Sequence, residues 1–352
     1  MNLNMIGLKE EMRAELAAFP GKDVVLGRVA LEHKHLYRVW TEEGELLCEV
    51  SGKLAFSAGG REDFPAVGDW VILSSRIEEG KGTIHGILPR FSKFSRKAAG
   101  QTAEEQIVAA NIDTVFLVNS LNDDLNLRRI ERYLLLAWES GANPVVILSK
   151  ADLCEDVGAK VAEVEAVAIG VPIIPVSAEM NEGLDRLAPF LKPGKTVALL
   201  GSSGVGKSTL TNSLLGEKRQ AVKEIREDDD KGRHTTTHRE LILLPNGAVL
   251  IDTPGMRELQ LWDSQDGLSG AFGDIEELAE LCKFRDCRHT DEPGCAVQAA
   301  ILRGDLPEDR LASYNKLQRE LAYIERKADK RAQLEEKKHW KAIHKQMRNV
   351  KK

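Results

Sequence analysis

Cysteine is scarce. Five cysteines in 352 residues are too few for a disulfide framework, and three of them, Cys282, Cys287 and Cys295, fall within one short segment. No stretch approaches the ~18 consecutive apolar residues that a bilayer-spanning helix needs, so no membrane partner is expected. From Met1 to Lys22 there is no positive flank followed by an apolar run of the kind that marks a secretory leader, and a cytoplasmic location is the expectation. A net charge of −6 excludes a uniformly basic coat, so a polyanion must be met by local patches. No internal repeat is present. The length exceeds one comfortable core and suits two or three domains of roughly 70 to 160 residues.

What is there falls into three regions. From Val24 to Leu88 about five short β-rich runs, Val24 to Leu31, Leu36 to Trp40, Leu46 to Val50, Val67 to Leu73 and Thr83 to Leu88, are punctuated by glycines and predict a small barrel. An OB-type barrel suits this count, with an SH3-like barrel as the alternative. Beyond an Arg/Lys-rich connector, strands and helices alternate. Asp113 to Asn119, Val145 to Leu148, Ile173 to Val176 and Val197 to Leu200 read as strands, while Asn126 to Gly141, Glu155 to Ile169 and Leu184 to Leu191 read as helices. That alternation predicts a parallel α/β sheet, with two further strands at Leu241 to Leu244 and Ala248 to Ile251. Past Trp262 no strand signal appears, and the segment reads as helices interrupted by the cysteines.

The chemistry begins at Gly201-Ser202-Ser203-Gly204-Val205-Gly206-Lys207-Ser208, which fits G-x-x-x-x-G-K-[ST] between a strand and a helix. Such a loop needs glycines where backbone approaches phosphate and amide groups aimed inward at a helix N-terminus. Lys207 would reach β- and γ-phosphates, Ser208 would ligate Mg²⁺, and Thr209 continues the helix start. Asp252, closing an apolar run before Thr253-Pro254-Gly255, suits a metal-side carboxylate held through water, with the Gly255 amide near the γ-phosphate. A Gly/Ser-rich turn and a turn-capping aspartate are the bland alternatives. Ser149-Lys150-Ala151-Asp152 suits base reading, because the Asp152 carboxylate accepts from guanine N1–H and N2–H₂, groups that adenine cannot offer. Lys150 would lie along the base, and Ser177-Ala178 would offer a backbone N–H to O6. Serine stands at position 149 where asparagine is usual, which shortens or removes one hydrogen-bond pair. The base-reading segment lies about fifty residues before Gly201, so the motifs run in permuted order.

Cys282-x₄-Cys287-x-His289-x₅-Cys295 offers a closed Cys₃His set suited to structural Zn²⁺, against free buried cysteines as the alternative. With no β-rich core, this segment is expected to need the ion to fold. Arg90 to Lys97 interleaves four cations with two aromatics and no acid, as an RNA groove or a solvated linker would. From Lys316 to Lys352, 13 Lys/Arg face 5 Asp/Glu on a helix-compatible tail.

In their order, Ser149 to Asp152, Ser177-Ala178, Gly201 to Thr209 and Asp252 to Gly255 closely resemble the RsgA family of circularly permuted GTPases that assist small ribosomal subunit biogenesis. Gly232 to Thr237 looks like that family's switch I, and Ala109 to Asp113 like the strand leading into its GTPase domain. The resemblance covers nearly the whole chain. It implies an N-terminal OB domain, a central circularly permuted α/β P-loop GTPase, and a mostly helical C-terminal zinc domain. The matching boundaries are an extension over 1–21, the barrel over 22–95, a linker over 96–106, the GTPase over 107–262, and the zinc domain with its basic tail over 263–352. It further implies GTP/GDP, Mg²⁺ and Zn²⁺ as bound groups, the 30S subunit and 16S rRNA as partners, and a monomer when free.

Any of three switch threonines could offer a hydroxyl to Mg²⁺, and by resemblance Thr236 is chosen. Met256 follows Gly255 where many GTPases carry a water-orienting Gln, so intrinsic turnover on the order of 10⁻⁴ to 10⁻² per second is expected. His234 is the candidate to position the attacking water, with a phosphate or RNA contact as the alternative. A P-loop ATPase or kinase acting on a small molecule is opposed by Asp152. An RNA-binding scaffold with structural nucleotide would show no stimulated hydrolysis.

Overall fold

A computed structural model describes residues 1–20, 23–33, 35–97, 105–122, 125–216, 240–252, 265–323 and 326. The chain divides into two compact units, Met1–Gln260 and Leu261–Lys352.

The first unit opens with a short helix, α1 (Glu10–Ala18), and five strands: β1 (Val24–His33), β2 (Leu36–Thr41), β3 (Gly44–Val50), β4 (Trp70–Arg76) and β5 (Lys81–Ile87). A one-and-a-half-turn helix, α2 (Gly52–Ser57), capped by Ser51 Oγ accepting from Leu54 N, bridges β3 and β4. β1 pairs with both β2 and β4, and β3 runs parallel to β5, so the ring reads β1-β2-β3-β5-β4 and returns to β1. That closed five-strand order is the OB arrangement, and the SH3-like alternative falls away. Alternation does the sorting: in β2, Tyr37, Val39 and Thr41 point inward while Arg38 points out, and Val29, Val71, Leu73 and Ile84 complete the barrel core.

An antiparallel ribbon follows, β6 (Lys93–Lys97) and β7 (Glu105–Ala110). It takes up both described ends of the expected linker, and two cations of the segment read as an RNA groove, Arg90 and Lys93, are held by carboxylates. Arg90 makes a fork to Asp69 (2.8 and 2.7 Å) and donates to the carbonyls of Glu62 and Phe64, while Ser92 and Phe94 are buried. Lys93 is ion-paired with Glu105 at 3.0 Å. A cation beside an aromatic has the same composition whether it serves RNA or a buried carboxylate, and here the carboxylate takes it.

Next come β8 (Thr114–Ser120), α3 (Leu127–Ser140), β9 (Asn143–Ser149), α4 (Val157–Glu165), β10 (Ile173–Pro175), β11 (Thr196–Leu200), α5 (Lys207–Leu215), β12 (Glu240–Leu243) and β13 (Val249–Asp252). The sheet order is β10-β9-β8-β11-β13-β12, parallel except for β12. Every residue of β8 and β11 is buried, as expected of strands covered on both faces. α3 buries Ile130, Leu134 and Ala137 at i, i+4 and i+7, between Asn126, whose Oδ1 caps Arg129 N, and Gly141. Leu184–Leu187 is a 3₁₀ turn rather than the longer helix expected through Leu191.

Barrel and sheet are stitched together by buried polar groups. Arg28 of β1, 1% exposed, donates to Ile6 O, Gly68 O (3.3 Å), Asn111 O (3.1 Å) and Thr196 Oγ1 (2.8 Å), the last at the first residue of β11. Asn111, in the left-handed region at φ 57°, donates to Gly68 O and accepts from Phe91 N. The Ser92 hydroxyl lies within hydrogen-bond distance of both the N–H and the carbonyl of Ile112. Leu31 pairs with Glu240, so barrel and sheet share one ladder.

The second unit contains α6 (Gln265–Glu280), kinked at Phe272, α7 (Ala296–Arg303) and α8 (308–323). Phe272, Ile275, Val297, Ala300, Leu311 and Tyr314 are buried, with Phe272 edge-on to Tyr314. Arg310 forks onto Asp274 (2.7 Å to each oxygen) and lies over the Phe272 ring. These helices therefore carry an apolar core of their own, and the expected dependence on an ion narrows to the loop from Leu281 to Cys295. Among the described residues no helix is long and apolar enough to cross a membrane.

Candidate functional site

Permuted motifs meet again because of the sheet. In a parallel sheet all strands end at one edge, and ligands bind outside those carboxyl ends. β10, β9, β11 and β13 are mutually parallel through β8, so the turns after them line one edge in the order Ser177-Ala178, Ser149 to Asp152, Gly201 to Ser208, Asp252. Sequence order is irrelevant to that placement.

The phosphate loop has the shape that its residue types allow. Gly206 adopts φ 90°, closed to a β-carbon without strain, and a Cβ on Gly201 would stand 2.3 Å from Val118 O. Ser203 and Gly204 are exposed at the tip. Lys207, first residue of α5, turns its ammonium back over the loop, 2.7 Å from Gly201 O and 2.5 Å from Ser202 O. The site thus presents a helix N-terminus and one held ammonium, an arrangement complementary to a polyphosphate.

Ser149 is 3% exposed, and its Oγ donates to Val205 O at 2.6 Å while lying 3.2 Å from Asn119 O. The shorter side chain therefore keeps a tie to the phosphate loop, which the sequence left in doubt. Lys150 follows in the left-handed conformation at φ 57°, a sparsely populated state for a non-glycine residue. Ala151 N donates to Val176 O at 3.1 Å, and Asp152 is exposed. The Ser177-Ala178 loop is closed by the reciprocal Ser177–Glu182 backbone pair. From α5, Ser213 Oγ lies 3.0 Å from Ala178 O. Neither Ser213 nor Arg129, which reaches the phosphate loop from α3, was found in the sequence, since a single hydroxyl or guanidinium has no spacing signature. The backbone of Asp252 ends β13. His234, Thr236 and Gly255 lie outside the described residues, as do the side chain of Asp252 and most of the basic tail.

In the second unit, the ligating atoms of Cys282, Cys287, His289 and Cys295 all lie within 4.8 Å of one another. Cys282 Sγ is 3.8 Å from Cys295 Sγ and 3.6 Å from His289 Nδ1, and Cys295 Sγ is 3.5 Å from that nitrogen. Around a tetrahedral ion with bonds of about 2.3 Å to sulfur and 2.0–2.1 Å to nitrogen, the edges are about 3.8 and 3.5 Å. The donor set fits zinc. Burial pushes the His289 imidazole below its ordinary value, favouring the neutral ligand form. Ala296 N donates to Cys282 Sγ and Gln298 N to Cys295 Sγ, so the first turn of α7 favours thiolates. Glu292 accepts from the N–H groups of Arg288 and Thr290, which hold its carboxyl at about 2 and tie the loop.

Comparison with known proteins agrees with this geometry. The family model described as RsgA GTPase matches residues 87–262, and one described as 50S ribosome-binding GTPase matches 196–351. The small ribosomal subunit biogenesis GTPase RsgA 2 of Lactiplantibacillus plantarum is 51% identical over 92% of this chain and 91% of its own length. Its namesake RsgA 1 of Oceanobacillus iheyensis is 48% identical over 99% of both chains. Among solved structures, YjeQ from Thermotoga maritima matches with TM-score 0.63 and 30% identity over 85% of this chain and 99% of that one. YloQ, described as a circularly permuted GTPase, shares the fold with TM-score 0.61 at 24% identity, over 87% of this chain and 96% of that one. A closed five-strand barrel, a P-loop sheet in permuted order and a Cys₃His loop, matched along nearly the full length of such relatives, place the chain in the RsgA family of GTPases, as a GTP hydrolase.

Proposed function

We propose that this GTPase acts in the cytoplasm on the small (30S) ribosomal subunit during late maturation, contacting 16S rRNA as a monomer and hydrolysing GTP faster when the particle is present. The observation that carries this reading is the assembly of base-reading and phosphate loops on one sheet edge, in a chain whose full-length relatives are named for small-subunit biogenesis. The 50S description belongs to a model covering the P-loop and C-terminal part alone, and the full-length relatives outweigh it.

In this reading the domains are those set out from the sequence, 22–95, 107–262 and 263–352. The Asp152 carboxylate accepts from guanine N1–H and N2–H₂, Lys150 lies along the base, and Ala178 N–H meets O6. Lys207 and the amides of Ser203 to Ser208 hold the β- and γ-phosphates. Ser208, Asp252 and Thr236 would hold Mg²⁺, which when bound neutralises charge between the β- and γ-phosphates. His234 orients the attacking water, and the Gly255 amide responds to the γ-phosphate. The chain passes from Asp252 toward the zinc unit, giving the γ-phosphate a covalent route to RNA-contacting parts. Incubating the protein with purified small subunits should raise GTP turnover at least about tenfold above a slow intrinsic rate. Equal turnover with and without subunits, or equal subunit affinity in GDP and a non-hydrolysable GTP analogue, would refute the assignment.

Zinc completes the proposal for the second unit. Metal analysis of protein purified without chelator should give one zinc per chain, and Cys295→Ser should lose it. The far-UV circular dichroism of that variant should change little, because α6, α7 and α8 bury their own core. Metal-free protein that keeps a native loop, read from tryptic resistance at Lys283 and Arg285, would remove zinc from the account.

A further inference from the structure

The phosphate loop is held at two points. Ser149 grips Val205 O beyond its tip, and on the near side Arg129 Nη1 donates to Ser202 Oγ at 2.7 Å. Only Ser203 and Gly204 lie between these anchors, and they are the exposed residues of the loop. Arg129 stands in the first turn of α3, where Asn126 fixes the backbone and Ile130, Leu134 and Ala137 fix the buried face. A helix of 14 residues spans about 21 Å. Its far end is seated as firmly: Gly141, at φ 82°, lies so close to the connector that a Cβ there would stand 3.0 Å from Phe91 O. That connector is the segment tied to the barrel through Arg90 and Asp69.

We propose that Arg129 is a positioning residue for GTP hydrolysis, fixing the phosphate loop through the Ser202 hydroxyl at one end of a helical strut whose other end rests on the barrel connector. A guanidinium suits this role because its planar fork keeps one donor aimed at the hydroxyl when the loop is empty or filled, whereas an ammonium on a flexible stem holds no fixed direction. Arg129 acts on the reacting groups through the loop, so its removal costs alignment more than binding. Lys207 and the base-reading segments still hold the nucleotide.

The test uses the full chain alone, without ribosomal particles, so it rests on GTP hydrolysis and not on the ribosomal reading. Arg129→Ala and Ser202→Ala should each lower kcat about five- to tenfold with KM changed less than about twofold, as expected when alignment rather than ground-state binding is lost. The double variant should be no slower than the slower single one, because both changes cut the same link. Arg129→Lys should recover only part of the rate, and thermal midpoints should stay together. Effects that multiply in the double variant, or a wild-type kcat in either single variant, overturn the proposal. Should Arg129→Ala fail to fold, Ser202→Ala leaves α3 untouched and decides alone: reduced kcat supports the strut, unchanged kcat ends it.

Discussion

Lys207→Ala is expected to reduce GTP hydrolysis by at least about a hundredfold while leaving the fold intact, since a cation aimed at developing phosphate charge is among the largest single contributions to phosphoryl transfer. The structure explains both halves of that expectation. Lys207 is half-buried at a helix start, and its ammonium is held by the carbonyls of Gly201 and Ser202. Truncation removes charge from the mouth of the site and leaves the Gly201 and Ser202 carbonyls without this donor. Lys207→Arg should not rescue, because the longer, planar guanidinium cannot keep its charge at the point where the compact ammonium sits. Phosphate release under saturating GTP measures the loss, and a thermal scan checks the fold. Activity within tenfold of the parent would mean that the phosphates bind somewhere other than Gly201 to Ser208.

The second large effect concerns stability. Arg28→Ala should destabilise the first unit by at least about 3 kcal/mol, because each buried acceptor left without its donor costs about 1–3 kcal/mol. Arg28 serves four acceptors on separate segments: Ile6, Gly68, Asn111 and Thr196. Gly68 O keeps the Asn111 amide as a second donor, and burial of the guanidinium is complete enough to pull its own pKa down to about 10 against the attraction of Asp113 and Asp69. Arg28→Lys should fall between, as one ammonium offers three donors and no fork. Urea unfolding followed by intrinsic fluorescence reads the shift, because Trp70 lies beside the Arg28 guanidinium. A midpoint within experimental error of the parent would show that barrel and sheet are held by other contacts.

Arg28 also marks the boundary of what a sequence can disclose. The strands were legible because valine-, isoleucine- and leucine-rich runs such as Thr114–Ser120 can only be buried, and the phosphate loop because glycine, lysine and serine at that spacing leave few alternatives. The cysteine loop was legible for the same reason. The barrel type was legible only as the preferred of two, since the parallel β3–β5 pairing that separates an OB ring from its rival joins residues more than thirty apart and leaves no local trace. Nor were the joints. Arg90 beside Phe91 reads as a nucleic-acid contact until Asp69 is seen against it, and Asp69 is an ordinary acid in a turn until Arg90 arrives. Arg28, Asn111, Ser213 and Arg129 gain their meaning from partners 20 to 168 positions away, which periodicity and spacing do not encode.

The placement of β11 at the middle of the sheet bears on how the chain is made. Barrel strands β1 to β5 are complete by Ile87, so that ring can close while synthesis continues. β8, β9 and β10 emerge next and must wait, with the flank of β8 unpaired, until Thr196–Leu200 appears to insert beside it. At roughly 5–20 residues per second the interval from Ser120 to Leu200 lasts on the order of 4–16 s, long on the timescale of strand pairing. A ribosome translating this message therefore carries a half-sheet whose central strand has yet to emerge, behind a barrel whose strands are already complete.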